Sequence, residues 1–357
     1  MKPTGKYTCT EYRQEMILLG LKRQLEDPVL PDAQRVPVAE NIRELERQME
    51  MDGPVAATVH QFDPHLFLIV LTPPISGFQD FIGAWLVAGP EAVYLVDVGP
   101  ASTADPLIDA ITALGVDRLD YICLTHIHMD HAGAVGHLAR QFPGTPVVCH
   151  PKGTPHIVAP ERLWQGTLKT LGATGRAYGP MLPVDPSWIA TESQLASAPF
   201  QLLDTPGHSP HHYAISTNGC LFAGEAGGVC LPLPSGDIYL RPATPPRFFL
   251  ETSLSSIDRL MATRSETLCY GHFGMREDGM NMLARHREQL LFWEKTLAVE
   301  TAGQGMDSVA FANRWVDLLL AQDPLLNGFS QLAPEVQVRE RGFLRNSVKG
   351  FAGYLAR

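Results

Sequence analysis

The 357-residue sequence has no apolar run long enough to span a bilayer, no excess of positive charge and no paired-cysteine motif. Lysine and arginine number 28 against 38 aspartates and glutamates, which gives a net charge of −10. Nucleic-acid binding depends on neutralising phosphates, so an acidic chain without a basic run is a poor candidate for it. The N-terminus also lacks the apolar segment of a secretion signal, and we therefore expect a cytoplasmic protein that has no membrane partner.

The six cysteines are scattered, and none belongs to a CxxC motif. Most lie in apolar, strand-like runs such as YICL, PVVC and TLCY. This placement is typical of reduced core residues rather than of disulfides, in agreement with an intracellular location. The sequence also lacks a GxSxG motif, so nothing indicates a serine nucleophile.

Shifts in composition divide the chain into three predicted parts. Residues 1–54 form an N-terminal helical extension, in which helices are expected over EYRQEMILLGLKRQLED and over Val38–Met51. Residues 55–275 form a strand-rich catalytic domain with a helical insertion at 151–190, and residues 276–357 form a C-terminal helical region. The apolar stripes of the terminal helices are typical of core packing or of a contact in a homo-oligomer.

The catalytic part begins with runs that are rich in β-branched and aromatic residues. Leu66–Thr72, Ala84–Ala88 and Ala92–Asp97 predict three successive strands. Helices over Ala104–Leu114 and Ala132–Gln141 then alternate with two further short strands. Strand, helix and strand at this spacing predict parallel pairs in a mixed sheet. A second group of strand signals over residues 195–274 makes a similar half.

The segment THIHMDHAG, residues 125–133, follows one of these strands and concentrates metal-binding side chains. His126 and His128 are two residues apart, and Asp130 and His131 follow where a helix is expected to begin. Buried histidine and carboxylate are costly unless they are paired, and a metal ion is a suitable partner. Imidazole nitrogen with carboxylate oxygen suits zinc, iron or manganese. The alternative interpretation is a solvated polar loop.

Three later segments offer the further ligands that a metal site requires. His208 lies in LLDTPGHSPHH, Glu225 in LFAGEA and His272 in TLCYGHFG. Each of them follows an apolar strand at a turn. Because ligand sites in sheets with parallel pairs lie at the carboxyl ends of strands, we expect these side chains to meet.

The ordered set VDVG, THIHMDHAG, TPGHSPHH, FAGE and YGHFG resembles the metallo-β-lactamase-fold hydrolase superfamily over about residues 56–275. Such an ordered set is far more specific than any one of its motifs. The resemblance implies an α/β (α+β) fold, an αββα sandwich flanked here by N- and C-terminal helical extensions. The glyoxalase-II-like branch is the nearest one by analogy of fold.

The resemblance also implies two groups of metal ligands and a bridging carboxylate: His126, His128 and His208; Asp130, His131 and His272; and Glu225. Glu225 stands where the family usually has aspartate. Its extra methylene moves the carboxylate by about 1.5 Å, against a tolerance of about 0.2 Å in a metal–oxygen distance. The side chain is therefore expected to bridge, to bind one metal only, or to weaken the second site.

Four residues are candidates for supporting or substrate-contacting roles. The resemblance implies that Asp97 orients the metal-binding loop. His211 and His156 are candidates for the substrate pocket, with solvated loop histidines as the alternative. Arg241 could hold an anionic substrate group, with pairing to an acidic side chain as the alternative.

The implied cofactor is a pair of divalent metal ions, with zinc as the leading identity and iron or manganese as alternatives. A metal-bound hydroxide would then attack a small-molecule ester, thioester, lactone or phosphoester, and Asp130 would orient the nucleophile or carry a proton. The alternative function is a mononuclear or di-iron oxidoreductase of the same fold, similar to a persulfide dioxygenase. The flavin-linked di-iron form is disfavoured, because its motif carries a glutamate and its chain a flavodoxin-like domain.

Overall fold

The computed structural model describes residues 55–217, 219–300 and 309–357, together with residues 16–18, 20–21, 23–25, 31, 37–38 and 41–42. The chain forms two compact units, Met1–Pro54 and Val55–Arg357. In the first unit the described residues are mostly helical, and Leu18, Val38 and Ile42 pack together. Most residues of the two helices predicted there lie outside the described part. All following elements belong to the second unit.

The first sheet has six strands in sequence order, each beside the next: β1 (Thr58–Asp63), β2 (Leu66–Leu71), β3 (Ile82–Ala88), β4 (Val93–Val96), β5 (Tyr121–Cys123) and β6 (Val147–Val148). The first four strands are antiparallel, and β4, β5 and β6 are parallel. Strand β2 reads LFLIVL and is almost completely buried. A continuous apolar run of this kind is typical of a strand covered on both faces.

The second half of the chain contributes seven strands: β7 (Gln201–Asp204), β8 (Tyr213–Thr217), β9 (Cys220–Gly224), β10 (Val229–Pro232), β11 (Ile238–Arg241), β12 (Thr267–Tyr270) and β13 (Met275–Arg276). Five of them form a sheet in the order β13-β12-β9-β8-β7, in which β9 and β12 are parallel. Strands β10 and β11 form a separate hairpin. The sequence pattern did not predict this hairpin, because prolines follow β11 directly.

The helices of this unit are α1 (Ala104–Ala113), α2 (Met129–Ala132), α3 (Val135–Gln141), α4 (Thr154–Val158), α5 (Glu161–Leu171), α6 (Ala173–Tyr178), α7 (Glu192–Ala196), α8 (Leu250–Met261), α9 (Gly279–Glu300), α10 (Val309–Gln322) and α11 (Pro334–Leu355). Short 3₁₀ turns span Ala101–Thr103, Pro186–Trp188 and Pro324–Gln331. The helix expected over Ala132–Gln141 begins later, at Val135, and the separate short helix α2 precedes it. A Cβ on Gly133 would lie 2.8 Å from the backbone nitrogen of Ala101, so the chain passes close to a loop at this break.

One hydrophobic core joins the two sheets and the C-terminal helices. Trp85 of β3 lies 6.0 Å from Phe222 of β9, and its indole nitrogen donates to the carbonyl oxygen of Tyr270. Trp293 of α9 and Phe351 of α11 are fully buried in the same core. The mixed α/β sandwich therefore agrees with the predicted fold class. No helix among the described residues is both long and apolar enough to cross a membrane.

Candidate metal centre

The strand ends bring the predicted ligands to one edge of the sandwich. The segment that follows β5 carries His126 and His128, and α2 begins directly after it. Strands β9 and β12 lie side by side and parallel, so the residues after them, Glu225 and His272, are neighbours. His208 lies in the turn between β7 and β8. Distant parts of the sequence therefore meet because strands of both sheets end here.

The seven predicted ligands form two groups. Within each group, one possible ligand atom per residue lies within 4.8 Å of the others; the groups are His126, His128, His208 and Glu225, and Asp130, His131 and His272. The grouping of the histidines and of Asp130 is the one that the motif resemblance implied. Glu225 joins the first group and reaches toward the second.

Backbone carbonyls fix the orientation of one histidine in each group. The Nδ1 atom of His208 lies 2.8 Å from the carbonyl oxygen of Ala243, and that of His272 lies 2.9 Å from the carbonyl oxygen of Phe81. A carbonyl oxygen can only accept, so Nδ1 of each neutral imidazole carries the proton. The Nε2 atoms then face the cluster with free lone pairs, as metal ligands require.

Asp97 holds the loop that carries the other ligands. It follows β4 with a φ of 60°, and its side chain is almost fully buried. Its Oδ1 accepts from the backbone nitrogen of Thr125 at 2.8 Å, and its Oδ2 accepts from Nδ1 of His131 at 2.8 Å. Asp97 thereby lies in the supporting position that was predicted for it, and it leaves Nε2 of His131 free.

The nitrogen atoms that face one another are suited to a cation. Nδ1 of His128 lies 3.0 Å from Nε2 of His126 and 2.9 Å from Nε2 of His208. In the second group, Nε2 of His131 and Nε2 of His272 are 3.2 Å apart. Lone pairs at this separation repel each other unless a proton or a metal ion lies between them. The donor set fits a metal that prefers nitrogen and oxygen ligands.

The Glu225 carboxylate extends across both groups. Its Oε2 lies 2.7 Å from Nε2 of His208 and 3.7 Å from Nε2 of His131, whereas its Oε1 lies 3.8 Å from Nε2 of His272. The backbone nitrogen of Glu225 donates to Nε2 of His212 at 3.1 Å. His212 is buried and held in turn by Thr205, at 2.8 Å, and so it fixes the turn that carries the carboxylate.

Burial and mutual charge move the pKa values of the cluster. Burial, reinforced by His208, lowers the pKa of His128 to about 3. Burial alone would raise the pKa of Asp130, but His131 and His272 outweigh it and lower that pKa to about 2. Burial also opposes the charged form of His131, yet Asp97 and Asp130 raise its pKa to about 9. Burial opposes the charged form of His208 as well, but the Glu225 carboxylate outweighs it and raises that pKa. Most of the other groups therefore favour the deprotonated forms that bind metal, while His131 and His208 would have to release a proton.

A cavity of about 990 Å³ opens over the cluster. One wall consists of α4, α5 and α6, within the predicted insertion, and α11 supplies residues to the rest of the lining. His156 and His211 both line it, His156 with an exposed side chain. The lining combines aromatic and aliphatic groups with cations: Phe78, Phe81, Leu163, Tyr178, Val338, Phe343, Arg162, Arg345 and Lys349.

Arg241 lies at the cavity but is engaged elsewhere. Its side chain is buried, and its Nε donates to the Glu340 carboxylate of α11. The guanidinium also lies over the ring of Phe343, with 4.8 Å between its carbon and the ring centroid. Of the two interpretations made from the sequence, the structure therefore supports pairing with an acid, and with a buried one.

Several supporting residues could not be identified from the sequence. The motif TPGHSPHH contains His212, but nothing in it distinguishes His212 from His211. Phe81 acts through a backbone carbonyl, which any residue type could supply. Glu340 is far along the chain in a helix whose pattern indicates only packing.

Comparisons with known proteins were consistent with this geometry. A sequence model of the metallo-beta-lactamase superfamily matches residues 79–272, more than half of the chain. The metallo-beta-lactamase fold-containing protein ST1585 from Sulfurisphaera tokodaii is 24% identical over 229 residues, which cover 61% of this chain and 82% of that protein. Its crystal structure superposes with a TM-score of 0.57 at 18% identity and covers 81% of this chain and 98% of its own.

Two further relatives have names that describe hydrolases. The hydroxyacylglutathione hydrolase of Aeromonas salmonicida is 28% identical over 190 residues, covering 52% of this chain and 58% of that protein. The probable metallo-hydrolase YybB of Bacillus subtilis is 33% identical over 131 residues, covering 37% of this chain and 54% of its own length. The matched segments thus span little more than half of either protein.

Proposed function

Because this chain belongs to the metallo-β-lactamase superfamily and is a hydrolase of that family, we propose that the seven clustered side chains form the two-metal centre of an esterase or thioesterase for small molecules. The observation that carries the proposal is the set of imidazole nitrogens that face one another across the cluster, with the rings of His208, His272 and His131 each held by a hydrogen bond on the opposite nitrogen. Zinc is the proposed metal, because nitrogen ligands with one or two carboxylates suit it.

Metal ions at such a centre would supply Lewis acidity and would lower the pKa of water, so that hydroxide is available as a nucleophile near neutral pH. The chain supplies the orientation. Asp130 lines the cavity, with Oδ2 3.6 Å from Nε2 of His272, and can accept a hydrogen bond from the attacking water. Glu225 would contact both metal ions, because its carboxylate lies against His208 of the first group and within 4 Å of His131 and His272 of the second.

The cavity lining favours a substrate that is partly apolar and carries a negative charge. Phe78, Leu163 and Val338 can contact an acyl chain. Arg162 and Lys349 line the cavity and form no ion pair with any aspartate or glutamate in the described part of the chain. The cavity wall therefore carries positive charge, although the net charge of the chain is −10. We infer an acyl ester or thioester with a carboxylate or phosphate group away from the scissile bond.

Metal analysis of protein purified without chelator and without a nickel column tests the centre. We expect about two zinc ions per chain. His128→Ala and His208→Ala should lose metal and turnover of acyl esters and thioesters together, because each removes a first-group ligand. His60→Ala, an exposed change on β1, is the matched control and should keep both.

Two results would contradict this function. Full metal content in both ligand variants would show that the ligands are assigned wrongly. About one iron per chain, with oxygen uptake and no hydrolysis, would favour the oxidoreductase alternative.

Glu225→Ala tests the bridging role by itself. The variant should contain about one metal ion per chain, and unchanged stoichiometry would exclude a bridge.

A further inference from the structure

Helix α11 lies outside the segment that matches the superfamily, yet it contacts two loops beside the metal centre. These loops contain the carbonyl groups of Phe81 and Ala243, which accept the Nδ1 protons of His272 and His208. The two histidines belong to different ligand groups. One helix is therefore positioned to influence both halves of the centre.

The contact with the His272 side is made through an aromatic ring. The Phe81 ring stacks on the imidazole of His272, with 4.1 Å between centroids and 4° between planes. The guanidinium carbon of Arg339, on α11, lies 3.8 Å from the same Phe81 centroid. Groups at such similar distances cannot share one face of a ring, so Phe81 is held between the cation and the metal ligand. Cation–π contacts are strong where water is excluded.

Arg339 is itself fixed. Its Nε donates to Glu340 at 3.0 Å, and its Nη1 donates to the carbonyl oxygen of Gly77 in the loop that carries Phe81. Glu340 is fully buried and also pairs with Arg241 of β11. A carboxylate shared by two buried arginines tolerates little movement, because any separation leaves a buried charge unpaired.

The contact with the His208 side is made through hydrogen bonds on both sides of Ala243. The Thr244 hydroxyl donates to the carbonyl oxygen of Ser347, on α11, at 3.1 Å. The Ser347 hydroxyl donates to the carbonyl oxygen of Pro242 at 3.2 Å. The carbonyl oxygen of Ala243 accepts from His208, and the residues on both sides of Ala243 are thus hydrogen-bonded to α11.

We propose that α11 is a positioning element of the metal centre, in which Arg339 orients His272 through Phe81 and Ser347 orients His208 through the segment Pro242–Thr244. The inference rests on the proposed metal centre. Residues behind metal ligands commonly change metal affinity by about 10- to 100-fold when they are removed. Each of these two residues should therefore affect mainly one ligand group.

The test measures metal release from the zinc-loaded, full-length protein to a colorimetric chelator. Arg339→Gln and Ser347→Ala are each expected to speed release of one metal equivalent by about 10-fold. Arg341→Gln is the matched control, because Arg341 is on the same helix but pairs with Asp317 at the surface, and it should release metal as the wild type does. Thermal unfolding in excess chelator checks that each variant folds.

A second background separates positioning from general loosening. In Asp130→Asn, which weakens the second group, Arg339→Gln should have little further effect, whereas Ser347→Ala should still speed release. Release from Arg339→Gln and Ser347→Ala at the rate of Arg341→Gln would overturn the role of α11. If Arg339→Gln does not fold, Ser347→Ala, which removes one hydroxyl, decides by itself. A wild-type chain that takes up no metal would instead refute the metal centre.

Discussion

At the scale of single residues, His208, His272 and the supporting His212 are held by groups that do not ionise, whereas His131 is held by the Asp97 carboxylate. His208 and His272 each donate to a backbone carbonyl, and His212 is held by a hydroxyl and a backbone nitrogen. Such partners keep their roles over the whole pH range in which the protein is folded. Imidazoles fixed in this way need little reorganisation when a metal binds, and this lowers the cost of forming the site.

His286 gives a prediction about stability and pH. It is buried in α9, where burial lowers its pKa to about 4, and a 3.4 Å contact with Gln289 offsets this only in part. Between about pH 6.5 and 4 the unfolded chain binds a proton that the folded chain does not, so stability falls as the pH falls. The expected loss between pH 7 and 4 is about 3 kcal/mol.

His286→Asn removes this titration. Urea unfolding of metal-free protein in chelator, from pH 7 to 4, should therefore show a shallower loss of stability in the variant. The other histidines are common to both proteins and cancel in the difference. Parallel curves for the two proteins would mean that His286 is not held neutral by burial.

Residue identity was predictable from the sequence where chemistry restricts the choice. His126, His128 and Asp130 could be identified because few other functions need these side chains at that spacing, and the structure brings them together with His208 and His272. Support by a carbonyl, as at Phe81, carries no sequence signal. In the sequence, Arg339 and Glu340 are typical of the polar residues of a surface helix. Their burial could not be predicted, because it depends on partners from elsewhere in the chain.

At the scale of elements, the close approach of α11 to the loop after β11 gives a second stability prediction. A Cβ at Gly350 would lie 2.3 Å from the carbonyl oxygen of Pro245, a backbone atom that cannot move without its loop. A Cβ at Gly353, one turn later, would lie 3.5 Å from the carbonyl oxygen of Pro246, which is an ordinary contact. Gly350→Ala should destabilise the protein by about 1–3 kcal/mol despite the better helix propensity of alanine.

Gly353→Ala is the matched control on the same helix. Alanine has a higher helix propensity than glycine and makes no clash at this position. The free energy of unfolding should therefore be unchanged or higher by up to about 1 kcal/mol. Denaturant unfolding of the two variants and the wild type measures both effects. Equal stability of the two variants would mean that α11 does not pack closely against the Pro245 segment.

Elements were predictable where periodicity is strong. The strands β2, β3 and β4 and the helix α1 lie within a few residues of the predicted spans. The break between α2 and α3 could not be predicted, since it follows from a tertiary contact of Gly133. The hairpin of β10 and β11 was missed because its residues pair only with each other and lie next to a proline-rich segment.

At the scale of the whole molecule, charge is distributed unevenly. The chain carries a net charge of −10, yet the two acidic residues that line the cavity, Asp130 and Glu225, both belong to the metal cluster. The remaining charged groups of the lining are cations. An acidic protein repels anions at long range, so a cationic wall can attract an anionic substrate only at short distance and with strong dependence on salt.

This arrangement predicts a preference that kinetics can measure. For two thioesters with the same acyl chain, one with an anionic and one with a neutral thiol part, kcat/KM should be higher for the anionic one. Arg162→Ala and Lys349→Ala should each reduce that kcat/KM by about 2- to 5-fold at low salt, as expected for exposed charges worth about 0.5–1 kcal/mol. Lys169→Ala is the control, because Lys169 is exposed on α5 but does not line the cavity. Raising the salt to about 0.5 M should shrink the difference, and an equal effect on the neutral thioester would show that the cations shape the cavity without recognising charge.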